Sequence, residues 1–237
     1  MGQLELGEIV LDIVIKDIKN VHLSVYPPAG KVRISAPLHM SFDTIRAFAI
    51  SKLGWIREQQ KKLREQDRET PREYLDRESH YLWGKRYLMK VVASASAPGV
   101  TLTHGTILLR IRPDASTEAK QATLNGWYRE QLKAAIPHLV ATWEPLIGVE
   151  VKRFYVQQMK TKWGSCNADS GSIRLNTELA KKPPECLEYI VVHEMVHLLE
   201  RTHNARFVAL MDQFIPKWTF YRDVLNRLPV RHETWGY

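Results

Sequence analysis

Ile190-Val191-Val192-His193-Glu194-Met195-Val196-His197-Leu198-Leu199, running on into Glu200-Arg201-Thr202-His203, is the stretch from which the rest of the chain can be read. As a helix it is apolar almost all the way round, which is the pattern of a buried helix. Two histidines and a carboxylate interrupt it, and an unpartnered polar group in such a place costs several kcal/mol. A metal ion satisfies both imidazoles at once. Residues four apart lie about 1.1 turns apart, so His193 and His197 project side by side from one face. Glu194 lies roughly 100° round from His193 and about 60° from His197, beside the metal position rather than on it. The string is His-Glu-x-x-His, two imidazole ligands with a carboxylate placed to take a proton from water at the metal.

Two imidazoles leave a tetrahedral site short, because catalytic zinc usually takes three protein ligands and a water. Glu200 shares the face one turn on, but it is about 10.5 Å of helix rise from His193, too far to close comfortably on one ion. His203 is the better third ligand. It follows Arg201 and Thr202, where the apolar run stops and a chain reversal can swing it back. The spacing from His193 to His203 is that of metzincins. Glu200, however, stands where those proteins have glycine, and Met211 falls in a helical pattern rather than in their methionine turn. The segment is therefore not assigned to that group.

Working outward, Asn204 caps a last helix carrying Phe207, Leu210, Phe214 and, past Pro216, Trp218. Residues 232–237 read as a frayed tail. Upstream, Lys182-Pro183-Pro184-Glu185 starts the metal helix, with proline tolerated at the first position. Before it, Gln157–Cys166 leads through the turn Asn167–Gly171 into a returning strand, Ser172–Asn176. A long helix is predicted from Ser116, with Pro137 kinking it or starting a second, and strand character returns over 147–155.

The first half is strand-rich. Strands are predicted over 9–15, 21–26 and 31–35, the last two joined as a hairpin by Pro27-Pro28-Ala29-Gly30. Ser41 caps a long helix that runs through Ile45, Phe48, Leu53 and Ile56 to a charged end at Arg68. Residues 66–79 read as a linker. Strand-like runs follow at 82–92 and 100–111, joined by the loop 94–99, with a break at His104-Gly105. No internal repeat is evident. The expected fold class is α+β, with a strand-rich N-terminal region over 1–113 and a zincin-like metal-binding catalytic domain over 114–237.

At 237 residues the chain can bury a substantial core. A net charge of +8 permits contact with nucleic acid without requiring it. Two cysteines define no disulfide framework. No signal peptide or membrane span is apparent, so a cytoplasmic, reducing setting is expected. His22, His39, His80, His104, His138 and His232 show no ligand spacing and are read as surface residues.

The ordered set Trp163-Gly-Ser-Cys166, Ile173-x-Leu-Asn176, Pro184, His193-Glu-x-x-His197, His203 and Phe207, with Lys52-Leu-Gly-Trp55-Ile56 upstream, resembles the YgjP-like family of zinc metallopeptidases. That family is related more distantly to SprT/Spartan and WLM proteases. The likeness extends over most of the chain and is most specific from about 160 to 220. It implies Zn2+ as cofactor, His193, His197 and His203 as ligands, Glu194 as general base, and peptide or protein as substrate. It also implies a β-hairpin edge, Trp163 to Asn176, lying along the cleft. Two other functions fit the same residues: a SprT-like protease acting on nucleic-acid-bound proteins, or a zinc-containing module that binds a partner without catalysis. Glu200, Asp212 and Glu188 are candidate acceptors for the ligands' second ring nitrogens. Tyr221 and Arg222 are candidate oxyanion donors. Cys166 is read either as a thiolate capping the metal in a latent form or as a buried structural thiol.

Overall fold

The computed structural model describes residues 2–26, 30–65, 72–159 and 162–227. These residues fall into two compact units, one ending before residue 66 and the other spanning 72–227. No helix among them is long and apolar enough to cross a membrane.

In the first unit four strands, β1 (Gly2–Leu6), β2 (Ile9–Lys16), β3 (His22–Tyr26) and β4 (Lys31–Pro37), form a sheet in the order β1-β2-β4-β3. The central β2–β4 pair is parallel and the outer pairs are antiparallel. The period-2 alternation of Ile9, Leu11 and Ile13 with Val32, Ile34 and Ala36 puts these side chains on one buried face. The register aligns them, Leu11 against Val32 and Ile13 against Ile34. Ile45, Ala49 and Ile56 complete this core from two helices, α1 (Phe42–Ser51) and α2 (Leu53–Glu65). Ser41 is the N-cap, its hydroxyl accepting from the Thr44 N–H at 3.3 Å. The single long helix expected here is instead broken at Lys52, next to Gly54, a residue that weakens helix interiors. β1 gave no sequence signal. The Pro27–Ala29 turn, the charged end at 66–68 and residues 66–71 of the expected linker lie outside the described residues.

The second unit opens with another four-stranded sheet, β5 (Ser79–Leu82), β6 (Lys85–Ala93), β7 (Gly99–Leu102) and β8 (Thr106–Ile111), in the order β5-β6-β8-β7. Its pairings are antiparallel, parallel and antiparallel, as in the first sheet. The chain thus contains a repeat of topology that its residues do not advertise. The two sheets share a pattern of alternation, which many sequences satisfy. The run expected as one strand from Leu82 is split by a tight turn at Trp83 and Gly84, with φ of 50° and 76°. His80, read from sequence as a surface residue, is buried beside Glu78, with Nε2 to Oε1 at 3.0 Å.

Helix α3 (Thr117–Ile147) covers this sheet with Leu124, Tyr128, Leu132 and Ile136. It runs through Pro137 and Pro145 without restarting. Proline at 137 deprives the Lys133 carbonyl of its helical donor. Lys133 is exposed, whereas Ile136 and Val140 are buried, so apolar packing outweighs the lost bond. The strand expected from 147 gives way to the end of α3 and its cap Gly148, at φ 77°. Strand β9 (Arg153–Gln157) then joins β10 (Gly164–Asn167) and β11 (Ser172–Asn176) in the order β10-β11-β9. A 3₁₀ turn (Thr177–Lys181) and three helices follow, α4 (Pro184–Val196), α5 (Ala205–Phe214) and α6 (Trp218–Arg227).

The β5–β6 turn is tied to the approach to α4. The Trp83 N–H donates to the Ala180 carbonyl at 2.8 Å, and the Gly84 N–H donates to that of Lys181 at 3.3 Å. A Cβ on Gly84 would stand 3.1 Å from Pro183 Cγ, so a side chain there is excluded by both φ and space. Tyr128 donates its hydroxyl to the Tyr81 carbonyl at 2.8 Å. Met89, Ile107 and Leu109 consequently belong to the same core as Val191, Val192 and Met195. The boundary expected after residue 113 falls inside this unit, because the second sheet shares its core with α3 and the 3₁₀ turn, which in turn pack on α4.

Candidate metal centre

Helix α4 starts with Pro184, where the missing N–H costs nothing. It buries Cys186, Leu187, Ile190, Val191, Val192, Met195 and Val196, as its nearly continuous apolar pattern requires. The helix stops at Val196, with His197 as its C-cap. The Leu198 and Leu199 N–H groups donate to the carbonyls of Met195 and Val196 at 3.0 and 2.9 Å, tightening the last turn. Glu200 then stabilises the reversal. Its carboxylate accepts from the Thr202 hydroxyl at 3.2 Å, and bonding to the Thr202 N–H holds its pKa below the usual range. Asn204 begins α5 by accepting from the Phe207 N–H at 3.0 Å. His203 is therefore held between a turn and a helix cap.

The reversal brings the third imidazole back. His203 Nε2 lies 3.1 Å from His193 Nε2 and 3.0 Å from His197 Nε2. His197 Nδ1 lies 2.9 Å from the Glu200 carbonyl, an acceptor, which places the proton on Nδ1 and leaves a bare lone pair on Nε2. A neutral imidazole carries one proton, so three converging Nε2 atoms cannot satisfy one another by hydrogen bonds alone. A common cation does so. Ligand nitrogens about 2.0–2.1 Å from a tetrahedral zinc stand about 3.3–3.4 Å apart. The observed spacing is close to that, so these three residues fit a metal.

Imidazole nitrogens must be neutral to bind a cation. Burial first, and then the neighbouring His197 and His203, pull the His193 pKa down to about 3. Burial and His197 lower that of His203 as well. Phe207 backs all three rings, with centroid distances of 5.0, 4.6 and 4.7 Å to His193, His197 and His203, and is itself 2% exposed. Tyr189, one turn before His193, packs edge-on against it at 5.8 Å. Phe207→Ala should therefore cost about 3–5 kcal/mol of stability and weaken metal binding as the rings lose their backing. Urea unfolding of the metal-free protein and competition with a chelator measure the two effects separately.

Glu194 is 5% exposed and faces a cleft of about 870 Å³, lined on one side by Lys162–Asp169 and on the other by Tyr189, His193, His197, Arg201 and His203. Burial pushes its carboxyl up to about 8, with Lys162 pulling the other way. Strand β10 is an edge of its sheet, and its residues form one wall of the cleft. Arg201 donates to Asp169, joining the loop that carries His203 to the β10–β11 turn.

Several secondary candidates sit elsewhere. Glu188 accepts from the Trp143 indole at 3.0 Å and Asp212 from that of Trp218 at 2.7 Å. Glu200 reaches the His197 ring through its backbone carbonyl, not its carboxylate. The Nδ1 of His193 is buried with no partner among the described residues. Tyr221 and Arg222 do not line the cleft, and Arg222 stacks on Trp218 at 5.2 Å. Tyr189 does line it, and its place four residues before His193, on the same helical face, is the signal in the sequence that marks it. Cys166 and Cys186 are both free. The Cys166 thiol is pushed up to about 11, by burial and then by Glu194.

Two solved structures resemble part of the chain. One is the metallopeptidase zymogen abylysin of Pyrococcus abyssi, at 19% identity and a TM-score of 0.37, covering 40% of this chain and 99% of that one. The other is the metallopeptidase zymogen jannalysin of Methanocaldococcus jannaschii, at 20% identity and a TM-score of 0.34, covering 38% of this chain and 92% of that one. No curated protein matches. Residues 19–228, most of the chain, match the family described as YgjP-like, metallopeptidase domain, and the chain belongs to that family of metal-dependent peptidases.

Proposed function

We propose that the protein is a zinc peptidase in which His193, His197 and His203 hold the ion and Glu194 is the general base. The observation that carries this reading is the convergence of three imidazole Nε2 atoms beside a buried carboxylate in one cleft. Zinc is chosen because an all-imidazole set of three leaves one position open, as in catalytic rather than structural zinc sites. When bound, the ion supplies Lewis acidity towards a water and a carbonyl oxygen. The chain's own part is proton transfer and orientation. Glu194 takes a proton on a carboxylate oxygen from the attacking water and returns it to the leaving amine nitrogen. The Glu200 carbonyl keeps the His197 proton on Nδ1, so that Nε2 remains free to bind. The β10 edge, unpaired among the described residues, offers backbone groups to an extended peptide, which favours peptide over small-molecule substrates.

The test is to incubate zinc-loaded protein with a diverse peptide library and read cleavage by mass spectrometry. Cleavage should vanish on chelation and return with added zinc. A stoichiometrically loaded protein that cleaves nothing overturns the reading.

A further inference from the structure

Glu194 is buried, yet among the described residues no donor makes a hydrogen bond to it. A long side chain in that situation is aimed by packing alone. The surface it packs on is backbone. A Cβ added to Gly164 would lie 2.5 Å from Glu194 Oε1, 2.8 Å from Cγ and 2.9 Å from Cδ, closer than real Cβ contacts come. We infer that Gly164 is the positioning residue for Glu194: the bare backbone of β10 forms the notch that aims its carboxylate into the cleft. The inference rests on the proposed role of Glu194 and adds what holds that group in place.

The notch cannot retreat. Gly164 is paired with Leu175 across the β10–β11 ladder. Just before Gly164 the chain is pinned by Asn176, which is 5% exposed. The Asn176 amide donates to the carbonyls of Lys162 at 2.8 Å and Met159 at 2.9 Å, and its backbone N–H donates to that of Trp163 at 2.9 Å. A side chain at 164 therefore meets a fixed strand on one side and a movable carboxylate on the other, and the carboxylate gives way. The φ of Gly164 is not in the left-handed region, so close approach alone requires glycine here.

The variant is Gly164→Ala. The three atoms nearest the new methyl all belong to Glu194 and none to an imidazole, so it should retain one zinc per chain, and its Tm should stay within about 3 °C of the parent because a flexible side-chain end absorbs the clash. Its kcat should fall about 100-fold, the scale set by displacing a reacting group by about 1 Å, with KM little changed. A crystal structure of the zinc-loaded variant should show Glu194 in a different rotamer and the imidazoles unmoved. In the Glu194→Gln background the same substitution should leave the residual rate unaltered.

Full activity of Gly164→Ala with Glu194 in place overturns the inference. So does loss of zinc together with activity, which indicates a general structural role. If Gly164→Ala does not fold, the Glu194→Ala, Gly164→Ala double variant decides, because the clashing carboxylate is gone. Recovery of the thermal transition supports the notch and continued unfolding refutes it. The two claims also fail separately. An active Glu194→Gln removes the general base while leaving the displaced rotamer to be seen, whereas an undisplaced Glu194 in Gly164→Ala removes the notch alone.

Discussion

Glu194→Gln should keep a full complement of metal and lose about 100- to 10,000-fold in kcat, the range general acid–base groups contribute. The amide is nearly isosteric with the carboxylate, so the packing against Gly164 survives. The three imidazoles are untouched, since none of their hydrogen bonds runs to residue 194. What disappears is a basic oxygen in the one buried acidic side chain beside the triad among the described residues. Burial has already raised this carboxyl to about 8, close to where a group must stand to take and return protons near neutral pH. Amide at this position also removes the desolvation cost of a buried charge, so the variant's Tm should equal or exceed the parent's. Metal analysis, kcat and Tm on one preparation check all three statements. A variant that turns over at the parental rate takes the proton-transfer role away from Glu194.

His203→Ala should lose the metal while keeping the fold. His203 is exposed, and its ring rests on Phe207 without contributing to the buried core. Removing it leaves His193 and His197, two ligands where a catalytic zinc site needs three. Outer-shell partners alone are worth about 10- to 100-fold in affinity, so loss of a ligand should exceed about 100-fold. The measurement is zinc stoichiometry after dialysis against a weak chelator, with thermal unfolding of both metal-free proteins alongside. Matching transitions and an empty variant are expected. Stoichiometric retention of zinc by His203→Ala means that another group completes the site, and the three-imidazole proposal falls.

Strands β2, β3 and β4 and the helix starts at Ser41, Ser116, Pro184 and Asn204 are readable because each is a short-range pattern. Alternation over five to eight residues and one side chain reaching an N–H three residues on need no knowledge of the rest of the chain. Errors arose where packing overrode local preference. Proline at 137 is tolerated in α3 because the flanking apolar residues are buried. A helix expected to be continuous breaks at Lys52. His80 lacks any ligand spacing and still ends in the core, held by Glu78. The recurrence of one strand order in both sheets also went unseen, since pairing partners are not written in a single strand's residues.

The sequence by itself determined that His193 and His197 share a face with Glu194 beside them, because rise and rotation per residue allow no other arrangement on one helix. Only the tertiary structure decided that His203 returns to within 3.0–3.1 Å of both. It also decided that Tyr189 and Phe207 enclose the rings and that Gly164 abuts the carboxylate across thirty positions of chain. The difference has one cause. Within a helical turn the backbone dictates proximity, while between a strand and a helix it is set by which surfaces are buried together, a property of the whole unit.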